Sequence, residues 1–184
     1  MPRLLIHVDE HASNTLANYF KKHLPKDSII LDLMSSFSSH LPDNLNFDLV
    51  CGLGLNEVEL KYNHKLNTSL IHDINLTPNL PFNDKVFDSC LISFSIQYLV
   101  NPVSLITDIG RILRPRAMCH VAFSNRMFPT KAVAIWQAIS DIERVDLIKS
   151  YFKQCKMFDA PKTDLLVKAG QGYDPLFVVR ARRK

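Results

Sequence analysis

The stretch that decides the fold is Ser28-Ile29-Ile30-Leu31-Asp32-Leu33-Met34-Ser35-Ser36-Phe37-Ser38-Ser39. Its first half is almost entirely apolar, as expected of a short strand that is covered on both faces. One carboxylate, Asp32, interrupts the run, and serines follow where the strand should turn. In open α/β sheets ligands bind beyond this end of a strand, usually at a glycine-rich turn. The stretch therefore predicts an α/β protein whose first cofactor loop carries serines instead of glycines.

Further apolar runs alternate with helical patterns along the chain. Leu16 and Phe20 recur at helical spacing, and Asp9 or Ser13 is suited to cap that helix. Strands are predicted at 29–34, 47–53, 69–74, 86–95, 118–124, 164–168 and 176–181, and helices at 10–23, 56–63, 102–113 and 130–154, the last broken near 140. Such alternation implies parallel strands with right-handed crossovers. We predict one domain, 1–184, with a doubly wound, seven-stranded, mostly parallel sheet and an antiparallel edge hairpin.

Composition limits the class of protein. The chain has 184 residues, of which 47% are hydrophobic and 22% charged, as in an ordinary globular domain. The net charge of +4 is small and includes a basic tail, so no nucleic-acid partner is expected. No apolar run is long enough to span a membrane, and the first residues do not form a signal peptide. Four cysteines without paired spacing predict reduced thiols in the cytoplasm, with organelle import through a removed transit peptide as the alternative.

Two motifs point to a known family. They are Leu80-Pro81-Phe82-Asn83-Asp84-Lys85-Val86-Phe87-Asp88 and Asp108-Ile109-Gly110-Arg111-Ile112-Leu113-Arg114-Pro115. In composition and separation they resemble the small type-11 members of the class I S-adenosylmethionine-dependent methyltransferases. The resemblance runs from about 27 to 124. It implies a Rossmann-like methyltransferase fold, S-adenosylmethionine as cofactor and S-adenosylhomocysteine as product.

The resemblance also assigns cofactor-binding positions. The family's acidic residue after the second strand, which takes the ribose hydroxyls, is replaced by Gly54, and Asn56 or Glu57 is the expected substitute. Ser35 and Ser36 are expected to hold the methionyl end through hydroxyls and amides, unless Phe37 closes the pocket. The implied cofactor-binding residues are Asp32, Leu33, Met34, Ser35, Ser36, Gly54, Leu55, Asn56, Asp73, Ile74, Ser93, Phe94, Ser95 and Tyr98.

Methyl transfer needs little covalent help from the protein, because the cofactor carries the activated group. The enzyme has to align the acceptor and exclude water. Tyr98 is the leading candidate beside the reacting methyl, although an ordinary residue at a strand-to-helix junction is an equally good interpretation. Asn125 and His7 are the other candidates for positioning an acceptor. We expect an unidentified, small-molecule acceptor, and we leave a homodimer open. The alternative is a catalytically silent relative that serves as a binding or scaffold module.

Three histidine patterns have competing interpretations. His7-Val8-Asp9-Glu10-His11 fits a zinc-peptidase pattern, but a cap at Asp9 would leave His7 outside the helix, so no metal site is expected. His40 either reaches the site or is a solvated loop residue. His72 is expected to be a partly buried, hydrogen-bonded residue in preference to a catalytic base.

Overall fold

The computed structural model describes residues 8–184, and within them a mixed sheet forms the centre of the molecule. Its strands are β1 (Ile29–Leu33), β2 (Leu49–Gly54), β3 (Thr68–Ile71), β4 (Phe87–Ser93), β5 (Leu113–Phe123), β6 (Lys162–Val167) and β7 (Leu176–Arg182). The spatial order is β3-β2-β1-β4-β5-β7-β6. β1 to β5 are parallel, while β7 runs antiparallel between β5 and β6. The predicted seven-stranded, mostly parallel sheet with an antiparallel edge hairpin is confirmed.

The helices begin at polar caps that the sequence provides. They are α1 (Glu10–His23), α2 (Glu57–Tyr62), α3 (Pro102–Ile112), α4 (Ala134–Ala138) and α5 (Asp141–Gln154), with a 3-10 turn at Ile96–Tyr98. Asp9, and not Ser13, caps α1 by accepting a hydrogen bond from the N–H of Ala12. Ser140 and Glu143 form a capping box at the start of α5, which fixes the expected break in the fourth helical region.

Alternate residues of the central strands point to opposite layers of helices. Leu31 belongs to a core that includes Ile106 of α3 and Phe152 of α5. Ile30 belongs to a second core that includes Phe20 of α1. Burying each such side chain stabilises the fold by roughly 1.5–3 kcal/mol. The sheet is therefore covered on both faces, as a doubly wound fold requires.

Arg111 joins the two motifs on which the family resemblance rests. Its guanidinium donates to the carboxylate of Asp108 at 2.6 and 3.0 Å and to the carboxylate of Asp84 at 2.9 Å. It also donates to the carbonyl oxygens of Leu80 and Phe82 at 3.0 and 2.7 Å. The turn before β4 is thereby fixed to α3, so the two motifs form one structural unit.

All seven strands differ from their predicted bounds, most of them by one or two residues, and the differences at β5 and β3 matter for the argument. β5 begins at Leu113 and includes Pro115, whereas the sequence predicted this strand only from 118. Pro115 falls within a register irregularity between β4 and β5, where a residue without an N–H is tolerated. β3 ends at Ile71, so His72, Asp73 and Ile74 lie in the loop that follows it instead of in the strand.

Four cysteines and one histidine are buried in the interior. Cys51, Cys90, Cys119 and Cys155 are buried free thiols. The buried His120 of β5 is hydrogen-bonded through Nδ1 to the hydroxyl of Tyr19 at 3.0 Å. Burial lowers the pKa of His120 to about 3, so the ring is neutral.

Across residues 8–184, none of the helices combines the length and apolar character that crossing a bilayer requires.

Candidate functional site at the carboxyl edge of the sheet

The order of the strands reverses between β1 and β4, and both strands end in an unusual turn. Met34 follows β1 with φ 58° and Phe94 follows β4 with φ 55°. This left-handed conformation costs a residue with a side chain about 1–2 kcal/mol, and it concentrates at binding sites. The N–H of Ser35 donates to the carbonyl of Leu53 at 2.8 Å, which pins the first turn. The two strands thus bend apart where an open sheet is expected to bind its ligand.

A cavity of about 330 Å³ lies at this point. It is lined by twelve of the predicted cofactor-binding residues: Met34, Ser35, Ser36, Gly54, Leu55, Asn56, Asp73, Ile74, Ser93, Phe94, Ser95 and Tyr98. It is also lined by Leu53, Glu59, His72, Asn75, Phe128 and Lys131. The sheet therefore brings most of the expected residues together, and their role in binding stays a prediction.

Three of the described candidates do not line the cavity. Leu33 is fully buried in the core, and Asp32 is 2% exposed. Asn125 is exposed, and its side-chain oxygen accepts a hydrogen bond from the hydroxyl of Ser124 at 3.3 Å. His7 lies outside the described residues. Asp32 and Leu33 therefore act on the site only through the loop that follows them.

The serines of the first loop are bound within the protein. Ser35 and Ser39 donate through Oγ to Oδ2 of Asp32 at 2.5 and 2.6 Å. Asn63 donates through Nδ2 to Oγ of Ser39 and to the carbonyl of Ser36, both at 2.8 Å. Burial raises the pKa of Asp32 to about 6, and the two serine hydrogen bonds act in the opposite direction. Side chains thus hold the loop in a shape for which related proteins are expected to use glycine.

This network changes the expected role of the loop. The Ser35 hydroxyl is directed to Asp32, and the Ser36 hydroxyl donates to Oε2 of Glu59 at 2.7 Å. Both hydroxyl protons are therefore used within the protein, and the expected contact of these serines with the methionyl end stays a prediction. Phe37 is not among the residues that line the cavity, so the alternative in which it closes the pocket has no support in this structure.

The chain leaves no room for an acidic side chain at position 54. A Cβ on Gly54 would lie 2.3 Å from the carbonyl oxygen of Ser35 and 3.2 Å from a methyl group of Leu60. Of the expected substitutes, Asn56 lines the cavity but uses its side-chain oxygen to cap α2. Glu57 does not line the cavity and pairs with the exposed Lys61 at 2.7 Å.

Glu59 is the acidic residue that reaches this part of the cavity. It is half-buried and lies one helical turn beyond the cap of α2. Sequence reasoning missed it, although its spacing of three residues from Asn56 places both on one side of the helix. The acidic group expected at the end of β2 is thus displaced to α2.

The loops after β3 and β4 are tied to each other. Oδ1 of Asp73 accepts hydrogen bonds from the N–H groups of Asn75 and Leu76 at 2.9 and 3.3 Å. Asn75 donates to the carbonyl of Tyr98 at 3.0 Å. His72 donates through Nε2 to the carbonyl of Thr77 at 2.7 Å, as expected of a hydrogen-bonded histidine. These contacts form a fixed wall on the β3 side of the cavity.

Tyr98 both lines the cavity and holds the loop after β5. Its hydroxyl accepts a hydrogen bond from the N–H of Phe128 at 3.0 Å, and the two rings stack with centroids 6.3 Å apart. The N–H of Val133 donates to the carbonyl of Gln97 at 3.0 Å. Each of the two interpretations of Tyr98 therefore has support in its contacts.

Two serine hydroxyls at the end of β4 have no partner among residues 8–184. Oγ of Ser93 and Oγ of Ser95 are buried and make no hydrogen bond to the described residues, and both side chains line the cavity. An unpaired buried polar group costs about 1–3 kcal/mol and calls for an explanation. A polar ligand in the cavity would supply the missing partner.

The start of α1 closes one end of the carboxyl edge. Asp9 and Asp174 each accept a hydrogen bond from the other's N–H, at 2.6 and 2.9 Å, and Arg126 donates to Asp174 at 2.7 Å. His40 is hydrogen-bonded to Ser13 at 2.8 Å and does not line the cavity. Within residues 8–184, no group of three histidine, cysteine or acidic side chains is arranged to hold a metal ion.

Comparisons with known proteins agree with this geometry. A family model described as a methyltransferase domain matches residues 35–121. No curated protein matches the chain in sequence. Among solved structures, a possible histamine N-methyltransferase from Thermotoga maritima is similar with a TM-score of 0.64 at 19% identity, covering 94% of this chain and 88% of that one.

Two further structures share the fold. A chain from the Haloferax volcanii complex of a methyltransferase activator with a methyltransferase has a TM-score of 0.68 at 13% identity, covering 95% of this chain and 91% of that one. Phosphoethanolamine N-methyltransferase 2 from Haemonchus contortus, in complex with S-adenosyl-L-methionine, has a TM-score of 0.64 at 13% identity, covering 92% of this chain and 52% of that one. A methyltransferase domain model thus matches residues 35–121, and the three structures, at 13–19% identity, show that the chain has the fold of these methyltransferases.

Proposed function

We propose that the protein binds S-adenosylmethionine in the cavity and transfers its methyl group to a small-molecule acceptor. The observation that carries the proposal is the cavity at the point of strand reversal, with two unpaired buried hydroxyls in its wall. A methyltransferase of this family has its ligand at that place in the sheet. The cavity wall offers hydrogen-bonding groups that no described residue satisfies.

The residues of the wall suit the parts of the cofactor. Glu59 provides a carboxylate that would accept hydrogen bonds from ribose hydroxyls, in place of the acid missing at position 54. Asp73 and the backbone of Ile74 would take the adenine amino group and ring nitrogen. The turn at Met34 would face the methionyl end with backbone groups, since the serine hydroxyls are used within the protein.

The remaining wall residues would position the acceptor and exclude water. When bound, S-adenosylmethionine supplies a methyl group on a positively charged sulfur. Tyr98 and Phe128 present stacked rings to the cavity, and aromatic faces favour a nearby cation. Ser95 lies at the end of β4, where its hydroxyl would orient a polar acceptor. No general base is required if the accepting atom is already a good nucleophile.

Binding and turnover test the proposal separately. Isothermal titration calorimetry of the full chain with S-adenosylmethionine and S-adenosylhomocysteine should show one site. Incubation with labelled S-adenosylmethionine and pools of small molecules should then release S-adenosylhomocysteine. Absence of heat and of a thermal shift at millimolar ligand would overturn the enzyme proposal.

The rival candidate, a silent binding or scaffold module, is favoured by one observation. The first loop uses its serine hydroxyls internally and occupies the space of the missing acid. Such a module would bind no cofactor, or would bind it without releasing S-adenosylhomocysteine with any acceptor. The two assays therefore separate the candidates.

Compartment and partners complete the proposal. We propose the cytoplasm, because four buried free thiols suit a reducing environment. A small-molecule acceptor fits a cavity of this size better than a folded protein does. The Haloferax volcanii neighbour was solved with an activator protein, so size-exclusion chromatography should compare a monomer, a homodimer and a complex.

A further inference from the structure

One basic side chain lines the cavity. Lys131 is the only lysine or arginine among the described lining residues, whereas Glu59 and Asp73 are acidic. Its ammonium group makes no ion pair or hydrogen bond with any residue from 8 to 184. Arg126, the other basic residue of the same loop, is already paired with Asp174 at 2.7 Å. Among the described residues of this wall, Lys131 is thus the one available positive group.

The acidic and basic groups lie at opposite sides of the cavity. Glu59 follows β2, whereas Lys131 follows β5, and β1 and β4 lie between those strands. The β2–β3 side is suited to hydroxyl and amino groups. The β5 side is suited to an anion.

The backbone that carries Lys131 is held against the cavity. Its N–H and that of Ala132 donate to the carbonyl of Phe128 at 2.9 and 3.0 Å. The N–H of Phe128 donates in turn to the hydroxyl of Tyr98, which belongs to the cavity wall. A fixed backbone places the lysine on the wall, so its presence there follows from these contacts.

A second and independent observation points to a ligand on the same side. Ser95 is 8% exposed, its hydroxyl is unpaired, and it lies at the end of β4, next to β5. A lysine ammonium and a serine hydroxyl that line the same cavity, in the segments after two neighbouring strands, can both donate to one anionic group. Tyr98 and Phe128 add an apolar wall beside them.

From these features we infer that the methyl acceptor carries an anionic group, a carboxylate or a phosphate ester, which Lys131 and Ser95 bind at the β5 side of the cavity. The inference rests on the proposed function and names the substrate class of the same site. Lys131 acts here as a specificity-determining residue.

Simple aromatic probes test this directly. Benzoate, phenyl phosphate and neutral benzyl alcohol are titrated into the full chain, with and without S-adenosylhomocysteine, and followed by NMR. Both anions, or one of them, should bind the wild-type protein more tightly than benzyl alcohol does. Lys131→Gln should weaken anion binding about five- to tenfold, and Lys131→Arg should restore most of it. If benzoate binds more tightly, the anionic group of the acceptor is a carboxylate; if phenyl phosphate binds more tightly, it is a phosphate ester.

Matched controls keep the result specific. Lys153→Gln removes an exposed lysine of α5 that does not line the cavity, and it should leave anion binding unchanged. Thermal midpoints identify any variant that fails to fold. Benzyl alcohol should bind all variants equally.

Several outcomes would overturn the inference. They are no preference of the wild-type protein for anions, equal anion binding by Lys131→Gln, or a matching loss of S-adenosylhomocysteine affinity in that variant. The last would assign Lys131 to the cofactor's own carboxylate. Failure of the proposed function is distinguishable, because it appears as absent S-adenosylhomocysteine binding by the wild-type protein, while the probes still report on Lys131.

Discussion

The carbonyl oxygen of Ser35 lies 2.3 Å from the position that a Cβ on Gly54 would occupy. The first loop therefore rests directly on the end of β2. An acidic residue at position 54 and this loop conformation exclude each other. The serine-rich loop and the missing acid, which look like two separate departures from the family pattern, are one coupled feature.

Gly54→Ala should destabilise the protein by about 1–3 kcal/mol, because the clash is with backbone and not with a flexible side chain. Urea denaturation of the wild-type protein and the variant measures the difference. Gly170→Asn is the control, since Gly170 has φ 82° and nothing within 4 Å of its Cβ position, and asparagine tolerates that conformation. Equal, small losses for both variants would show that the loop moves away freely.

Glu59→Gln should weaken S-adenosylhomocysteine binding by about 1.5–3 kcal/mol, the range for a hydrogen bond to a charged group. The effect should shrink for the 2′-deoxyribose analogue, because the lost partner is the ribose hydroxyl. Calorimetry of the wild-type protein and the variant with both ligands gives the coupling free energy between Glu59 and the ribose hydroxyl. Glu57→Gln, on the solvent side of the same helix, is the matched control. An identical loss for both ligands would assign Glu59 a role in loop structure only.

Asp32→Asn should change how stability depends on pH. The pKa of Asp32 is about 6 in the folded state and near 3.8 unfolded, so the folded protein binds the proton more tightly. Stability should fall as pH rises from 4 to 6, by up to roughly 3 kcal/mol, and this slope should vanish in the variant. Denaturation across pH 4–7.5 measures it. If stability depends on pH in the same way in the wild-type protein and the variant, the raised pKa of Asp32 is contradicted.

His120→Gln should remove a dependence of the opposite sign. Burial, together with nearby His23 and Arg180, holds the pKa of His120 at about 3, while Asp164 acts against them. The unfolded chain takes up a proton near pH 6.5, so wild-type stability should decrease from pH 7 to pH 5 by about 2 kcal/mol. The difference in stability between the wild-type protein and His120→Gln at each pH isolates the contribution of His120, because Asp32 is present in both. A difference that does not vary with pH would argue against a neutral His120.

Tyr98→Phe should loosen the loop after β5 while keeping the aromatic ring. The variant leaves the N–H of Phe128 without its acceptor, at a cost of about 0.5–1.5 kcal/mol. Hydrogen exchange should accelerate at Phe128 and its neighbours. Tyr62→Phe, on the exposed face of α2, should leave exchange in that loop unchanged. Unchanged protection at Phe128 in Tyr98→Phe would show that the ring stacking alone holds the loop.

Periodicity predicted the parts of the fold in which local pattern and packing agree. Ile29–Leu33 is apolar on both faces because helices cover both faces of the sheet, and Pro102–Ile112 repeats its apolar side at helical spacing. Pro115 misled the assignment of β5, because a register irregularity accepts a proline that a regular strand would exclude.

The site was predicted where residues directly follow strands, because parallel strands deliver their carboxyl ends to one edge. Phe128 and Lys131 were missed because a tertiary hydrogen bond from Phe128 to Tyr98 brings their segment to the cavity, and no local pattern encodes that bond. The direction of the Ser35 hydroxyl was also beyond sequence reasoning. The direction depends on the buried carboxylate of Asp32, three residues earlier, which accepts the hydrogen bond from the Ser35 hydroxyl.

The paired hydrogen bonds between Asp9 and Asp174 join residues 165 positions apart in the chain. Such a contact cannot form early, because closing so long a loop has a high entropic cost until the rest of the chain is ordered. During synthesis, β5 also lacks its neighbour β7 until the last strand has left the ribosome. The start of α1 is therefore joined to the segment before β7 late in folding, and a nascent chain stalled before Asp174 would carry β1 to β5 without this contact.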